Sequence, residues 1–149
     1  MTAPRASRPR ITLRGFKPGA LGIATVLGEL ETAVMELLWA EPGQTVTEVE
    51  ERLRRSRAIA HTTALTTLDR LHRKGYLVRD EHGKAFVYAP RLSRDEFERA
   101  TAEEVLGTLL GHFSAPALSA FVDLVGEDPG ALDRLEAIIR AKRRERDRT

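Results

Sequence analysis

The sequence of 149 residues predicts a mainly α-helical protein that carries one small β-hairpin. Three observations predict this class. Apolar residues recur at helical spacing over most of the chain after residue 27. Residues of the kind that cap helices precede three of these segments, at Thr45, Ser93 and Asp128. Two short apolar runs flank a His-Gly pair at residues 82 and 83, which is typical of a hairpin.

The composition is that of a globular protein, with 42% hydrophobic and 31% charged residues. No apolar run approaches the roughly 20 residues that span a bilayer, and the first residues lack the apolar core of a signal peptide. The absence of cysteine excludes disulfides and thiolate metal sites. We therefore expect a cytoplasmic protein without membrane insertion, and no motif calls for a cofactor or a metal.

The charge is distributed unevenly behind a net value of +2. Residues 18–51 contain seven acids and no Lys or Arg, whereas residues 52–84 contain nine cations against three acids. Both ends of the chain are also basic. This layout is typical of a protein that binds a polyanion. For the run at 140–149 a solubilising tail is the favoured interpretation.

The elements follow in order from a predicted flexible basic arm at residues 1–26, which contains three prolines. A first helix begins near Leu27 and ends at the Glu-Pro-Gly of residues 41–43. Thr45 and Glu48 form a capping box that opens a short second helix. The apolar residues that we expect these two helices to bury are Leu30, Val34, Leu37, Leu38, Val46, Val49 and Leu53.

The third helix, Ala60 to Gly75, has the most unusual pattern. At about 100° per residue, one arc is apolar and the opposite arc holds threonines and cations, with Asp69 at its edge beside Arg70, its expected ion-pair partner. The apolar arc contains Ala64, Leu65, Leu68 and Leu71. Threonine is a poor helix former, so such a cluster indicates a binding face, and short hydroxyls among cations suit a DNA major groove.

A hairpin follows, with strands predicted at Leu77–Glu81 and Lys84–Tyr88 and Gly83 in the turn. Three helices and a hairpin in this order predict a winged helix-turn-helix domain over residues 27–91. The hairpin tip, with His82 and Lys84, would then contact phosphate. The residues predicted to contact DNA are Thr62, Thr63, Thr66, Thr67, Arg70, Arg73, Lys74 and Lys84.

After Pro90 the pattern predicts a helical domain over residues 92–140, followed by a basic tail at 141–149. Three helices of this length cannot bury their apolar residues alone. We expect a second copy to cover them, giving a homodimer that binds a palindromic site. A monomer whose helices fold back is the alternative. The predicted dimer contacts are Leu106, Leu110, Phe113, Leu118, Phe121, Leu132, Leu135 and Ile139.

Three groups of residues in the chain carry a family resemblance. They are Leu30-Glu31, Val34-Met35 and Leu38-Trp39, then TTALTTLDRLHRKG at residues 62–75, then Tyr88-Ala89-Pro90. Together they resemble the BlaI/MecI penicillinase-repressor family, which includes copper-responsive CopY-type members, over about residues 27–143. The copper branch is less similar, because it needs cysteine ligands.

The resemblance implies a homodimeric repressor on a palindromic operator. By position, Thr63, Thr66 and Arg70 match contact positions of the family, and Leu65 stands where some relatives have Arg. The operator sequence therefore cannot be transferred. In β-lactam-responsive relatives, a membrane sensor protease triggers cutting before a Phe that aligns with Phe121.

Here Ala120 precedes Phe121, where those relatives have Asn. Cleavage between Ala120 and Phe121, with a sensor metalloprotease or a downstream protease as partner, is left as an open hypothesis. Phe121 is equally expected in a dimer interface.

Other chemistry finds little support in the sequence. The four histidines, His61, His72, His82 and His112, lack the i, i+4 spacing of a helical metal pair, so we expect packed or solvated roles for them. No enzyme motif is present. The second hypothesis is a winged-helix module that binds a protein. Such a face should carry exposed apolar anchors, which the predicted polar face lacks.

Overall fold

The computed structural model describes residues 26–149, which form six α-helices and one two-stranded antiparallel sheet. The predicted arm, apart from Val26, lies outside the described residues. In chain order the elements are α1 (Glu29–Ala40), α2 (Val46–Arg54), α3 (His61–Arg73), β1 (Leu77–His82), β2 (Ala85–Pro90), α4 (Arg94–His112), α5 (Ser114–Val125) and α6 (Pro129–Asp147). The predicted class, mainly helical with a hairpin wing, is confirmed.

The predicted helix starts coincide with side-chain caps. Thr45 Oγ1 accepts a hydrogen bond from the Glu48 amide at 3.3 Å, and Asp128 Oδ1 accepts one from the Gly130 amide at 3.0 Å. Ser93 Oγ accepts one from the Glu96 amide at 3.1 Å. Each side chain satisfies an amide that the first helical turn leaves free.

The hairpin is anchored to the loop between α1 and α2. Its register runs from Leu77 opposite Pro90 to His82 opposite Ala85, and Gly83 adopts φ +64° in the turn. The Tyr88 amide donates to the Gln44 carbonyl at 2.8 Å, and the Gln44 amide donates to the Tyr88 carbonyl at 3.1 Å. The base of the hairpin is therefore part of the folded unit.

The chain divides into two compact units, one ending at Val105 and one beginning at Leu106. Helices α1 to α3, the hairpin and the start of α4 enclose the core of the first unit, which we call the winged unit. Its largest fully buried side chains are Tyr88, Phe97, Met35, Leu38, Leu68, Leu71, Leu77, Val34 and Val49.

The sequence predicted that α4 belongs to the C-terminal helical domain, but Phe97 near its start packs in the winged unit. Its ring packs edge-on against Trp39 and Tyr76, with centroid distances of 5.5 Å and 5.1 Å. Trp39 Nε1 also donates to the Leu92 carbonyl at 2.9 Å. Helical periodicity predicted that Phe97 would be buried, but periodicity does not say in which core.

The second unit contains the end of α4 together with α5 and α6. Neither α5 nor α6 has a buried residue. The predicted tail at residues 141–149 is also different from expectation, because α6 continues through it to Asp147. Within residues 26–149, no helix is both long enough and apolar enough to cross a membrane.

Candidate nucleic-acid interface

The outward side of α3 is the candidate interface. Thr62, Thr63, Thr66 and Arg70 are all exposed there. They line one side of a groove of about 420 Å³, whose other side is formed by residues 28–31 at the start of α1. Arg73 is exposed further along the same helix. The structure thus brings most of the predicted contact residues onto one surface.

Thr67 departs from the predicted contact set. Its side chain is only 5% exposed, and its hydroxyl donates to the Thr63 carbonyl at 2.8 Å. Ala64 and Leu71, which lie three residues before and four residues after it, are fully buried. Residues at these spacings share one helix face, so Thr67 faces the core, and only a small part of its surface reaches the groove.

Leu65 departs in the opposite direction. It was predicted in the buried arc, but 42% of its surface is exposed. Thr62 lies three residues before it and Asp69 four residues after it, so its position on the helix is outward whatever its polarity. The face of α3 therefore includes one apolar side chain among the threonines, and the predicted absence of apolar anchors is wrong.

The prediction that Asp69 pairs with Arg70 is also wrong. Asp69 pairs instead with Arg73, one turn later, and with Arg79 Nη1 on β1 at 3.2 Å. Neighbouring residues on a helix point in different directions, whereas residues four apart face each other. Arg70 forms no ion pair with any residue in the described part of the chain, and it is left available for an external anion.

The pKa of Asp69 reflects this arrangement. Desolvation acts to raise that pKa, but the hydrogen bonds and charges of Arg73 and Arg79 outweigh it and hold the pKa below its ordinary value. The carboxylate is therefore ionised at neutral pH. The pKa of His72, three residues further along the helix, is lowered first by burial and then by the charge of Arg79.

Two buried acids tie the ends of α3 to the other helices. Glu50 of α2 lies 2.6 Å from His61 Nδ1 at the first residue of α3, and it also pairs with Arg54. Glu31 of α1 binds Lys74 Nζ at 2.8 Å, directly after the last residue of α3. Lys74 was predicted to bind DNA, but the structure pairs it within the protein.

Sequence reasoning missed Glu31 and Glu50. Both are buried; Glu31 pairs with Lys74 next to α3, and Glu50 pairs with Arg54 of its own helix and contacts His61 of α3. The signal was present in the sequence, because the acids of residues 18–51 precede the cations of residues 52–84. Charge segregation was interpreted as a footprint for DNA alone, although part of it holds the three helices together.

The hairpin presents its own basic residue. Lys84 lies in the turn between the strands and is exposed, as is His82 at the end of β1. Behind the tip, the Arg79 guanidinium lies 4.3 Å from the centre of the Phe86 ring. The predicted contact residue Lys84 is thus positioned at the end of a paired hairpin.

The predicted dimer residues share a common feature, which is exposure in the second unit. Seven of them are 40–60% exposed, and Leu135 is half-buried. The seven are Leu106, Leu110, Phe113, Leu118, Phe121, Leu132 and Ile139. Ala120 and Phe121, the proposed cleavage position, both lie within α5. Residues 26–149 contain no cluster of three or more acidic or histidine side chains that fits a metal ion.

Comparison with known proteins places these features in a family context. The sequence profile of the penicillinase repressors matches residues 27–141. Two curated relatives, the transcriptional regulator BlaI from the CDC 1551 / Oshkosh and H37Rv strains of Mycobacterium tuberculosis, are each 40% identical to the chain over 121 residues. The alignment covers 76% of this chain and 87% of each relative.

Two solved structures are also similar. The DNA-binding domain of the repressor BlaI, determined in solution, is 28% identical with a TM-score of 0.44, over 47% of this chain and 85% of that domain. RosR from H. salinarum is 19% identical with a TM-score of 0.43, over 82% of this chain and 98% of its own.

Proposed function

The chain belongs to the penicillinase repressor family, and on this premise we propose that it represses transcription by binding a palindromic DNA operator as a homodimer. The observation that carries the proposal is the outward face of α3. It combines exposed threonines with Arg70, whose guanidinium has no ion-pair partner within the described residues. An arginine presented in this way on a fixed helix is suited to a guanine edge or a phosphate.

The remaining side chains of that face suit different parts of a DNA duplex. Thr62, Thr63 and Thr66 are short, so a helix that carries them can approach the major groove closely, and hydroxyls bind either phosphates or bases. Leu65 offers an apolar surface of the kind that contacts a thymine methyl group. Lys84 at the hairpin tip is suited to the phosphate backbone beside the groove.

The homodimer is supported by the second unit. Its exposed apolar residues come from three consecutive helices, and exposed apolar side chains in such number are typical of an interface. A second copy of the chain is the occupant we propose, because a two-fold dimer presents two recognition helices. Such helices contact major grooves about 34 Å apart, which corresponds to a palindromic site.

Induction by proteolysis is the finer part of this proposal and comes from the family resemblance. Cutting between Ala120 and Phe121 would divide the second unit and separate the dimer contacts on either side. Because both residues lie in the middle of α5, the protease would have to unwind this helix before cutting. A membrane-associated sensor metalloprotease, or a protease downstream of it, is the partner that the resemblance implies.

The alternative, a winged helix that binds a protein, has one observation in its favour, which is the exposed Leu65. Salt dependence distinguishes the two functions. For DNA, the logarithm of the binding constant falls by about 0.9 per phosphate neutralised for each tenfold rise in salt. A protein partner held by one leucine in a threonine surface would show no such steep dependence.

The Arg70→Ala variant tests the proposal directly. We expect it to lose about 1–3 kcal/mol of binding free energy for the DNA that the wild-type chain enriches from fragmented genomic DNA. The measurement is fluorescence anisotropy with a labelled duplex of that sequence at several salt concentrations. Arg99→Ala is the matched control, because Arg99 is an exposed arginine of α4 that already pairs with Glu103.

The possible outcomes separate the parts of the proposal. Wild-type affinity in Arg70→Ala would remove Arg70 from the contact set. Failure of the wild-type chain to enrich any DNA, or binding that is insensitive to salt, would contradict DNA binding altogether.

A further inference from the structure

Asp69 joins the outward face of α3 to the hairpin. One of its carboxylate oxygens accepts a hydrogen bond from Arg79 Nη1 at 3.2 Å, and the other pairs with Arg73 of its own helix. Both Asp69 and Arg79 are about three-quarters covered, with 28% and 27% of their side chains exposed. The contact therefore lies in the angle between α3 and β1, partly shielded from solvent.

Arg79 carries this contact toward the tip of the hairpin. It lies opposite Tyr88 in the strand register, and its guanidinium lies 4.3 Å from the centre of the Phe86 ring. Phe86 is two residues closer to the turn than Tyr88 on the same strand and the same face. The series Asp69, Arg79 and Phe86 thus runs from α3 along one side of the hairpin.

The base of the hairpin has separate supports. Tyr88 is bound to Gln44 through two backbone hydrogen bonds, and Leu77 is fully buried. These contacts hold the strands to the core but lie at or behind the level of Tyr88. The side-chain series that starts at Asp69 continues beyond that level, toward Lys84.

Charge alone makes Asp69 unfavourable at this place. A carboxylate on the helix that contacts DNA repels phosphates, and it also competes with them for Arg73. If Asp69 acted only through its charge, a protein in which it is neutralised would therefore bind DNA more tightly than the wild type. The geometry gives Asp69 the opposite effect, because neutralising it removes the ion pair that ties Arg79, and with it the hairpin, to α3.

We propose that Asp69 is a positioning residue, which sets the hairpin against α3 so that Lys84 and the outward face of α3 meet the same DNA duplex. This inference rests on the proposed DNA binding. Asp69 acts through Arg79 and does not itself contact DNA. Its effect on affinity is therefore opposite in sign to the effect of its charge.

The Asp69→Asn variant uses this difference in sign, because it removes the charge and keeps the shape. The probe is a fluorescein-labelled duplex with the sequence that the wild-type chain enriches from fragmented genomic DNA. We expect Asp69→Asn to bind it about tenfold more weakly, as for a residue within one interacting network. Its salt slope should fall by about one phosphate, because Lys84 is no longer held against the DNA backbone.

Asp80→Asn is the matched control, since Asp80 is an exposed acid of β1, opposite Val87. It removes the same charge as Asp69→Asn, but from the position next to Arg79 in β1, where the side chain lies on the other face of the hairpin. We expect it to bind the duplex as tightly as the wild type or more tightly. An Asp69→Asn variant that behaves in the same way as Asp80→Asn would overturn the proposal and leave a purely electrostatic role.

A double-mutant cycle with Arg79→Gln tests whether Asp69 acts through Arg79. We expect the Asp69→Asn/Arg79→Gln protein to bind about as weakly as the weaker single variant, because both changes remove the same ion pair. Losses that simply multiply would contradict the inference. Circular dichroism at the assay temperature verifies that each variant is folded, so that a smaller folded fraction is not mistaken for weaker binding.

The outcomes also separate this inference from the proposed function. If the wild-type chain enriches no DNA, both are contradicted. If the wild type binds DNA in a salt-dependent manner and Asp69→Asn binds equally well, DNA binding stands and only the role of Asp69 is lost.

Discussion

The two units of the chain use their apolar side chains in opposite ways. The winged unit encloses its large apolar residues, and nine of them have less than 2% of their surface exposed. In the second unit, α5 and α6 contain no buried residue, and apolar side chains such as Leu124 are up to 67% exposed. Both units are helical, and both show apolar residues at helical spacing.

Equal helical periodicity therefore does not mean that both units bury their apolar residues within one chain. In the winged unit the apolar faces of several elements converge, so one chain provides both sides of each contact. In the second unit the helices carry apolar faces that the described chain leaves exposed, and exposed surface of this extent has a cost in water. The first unit is therefore expected to be stable as folded, and the second to depend on association.

The largest expected effect concerns the core of the winged unit. Phe97→Ala removes a fully buried ring that touches Trp39 and Tyr76, and we expect it to cost about 3–5 kcal/mol of unfolding free energy. Urea unfolding followed by circular dichroism measures this loss. Leu124→Ala is the control from the second unit, and it should cost less than about 0.5 kcal/mol. Similar losses in both variants would contradict the contrast between the units.

The next effect concerns association. Leu135→Asp places a charge among the exposed apolar residues of α6, and we expect it to weaken the proposed homodimer by about 2–4 kcal/mol. Size-exclusion chromatography with light scattering should then report the monomer mass of 16.6 kDa in place of twice that value. Ala141→Asp adds the same charge to the same helix, about 180° around it from Leu132, and should remain dimeric.

A dimer that persists in Leu135→Asp would contradict the proposed interface. A wild-type chain that is already monomeric would favour the folded-back alternative.

The smallest effect is a pH dependence that belongs to the winged unit. The pKa of His72 lies below its usual value of 6.5, because burial and then the charge of Arg79 disfavour the protonated ring. The unfolded chain thus binds this proton more readily than the folded chain. The stability linked to His72 is present above the unfolded pKa of about 6.5 and is lost as the pH falls from there through the lower pKa of the folded chain.

Unfolding free energies measured across that pH range should therefore decline for the wild type, and His72→Gln should make the decline less steep. A slope that is unchanged in His72→Gln would assign the pH dependence to other groups.

The sequence was sufficient to predict the order of the elements, because that order depends on local signals. Caps at Thr45, Ser93 and Asp128 and the glycine at position 83 act within a few residues, and all four were predicted correctly. The errors arose where a residue depends on distant partners. The packing of Phe97 in the winged unit is an example, since no local pattern indicates which core receives a buried ring.

The candidate interface shows the same division between features set by local signals and features set by distant partners. The outward position of Thr62, Thr63, Thr66 and Arg70 follows from the helical period, and the structure has them exposed. Leu65 was assigned by its polarity rather than by its position around the helix, and that choice was wrong. The contact between Asp69 and Arg79 joins a helix to a strand, so neither segment alone predicts it.

The way α3 is held has a consequence for how such a protein can change. Its inward side is fixed by the core, and its ends are fixed by Glu50 and Glu31. Five outward side chains take no part in the core, namely Thr62, Thr63, Leu65, Thr66 and Arg70. They can therefore be exchanged together as a unit, and new target preferences can arise by mutation or be grafted from a relative while the scaffold remains folded.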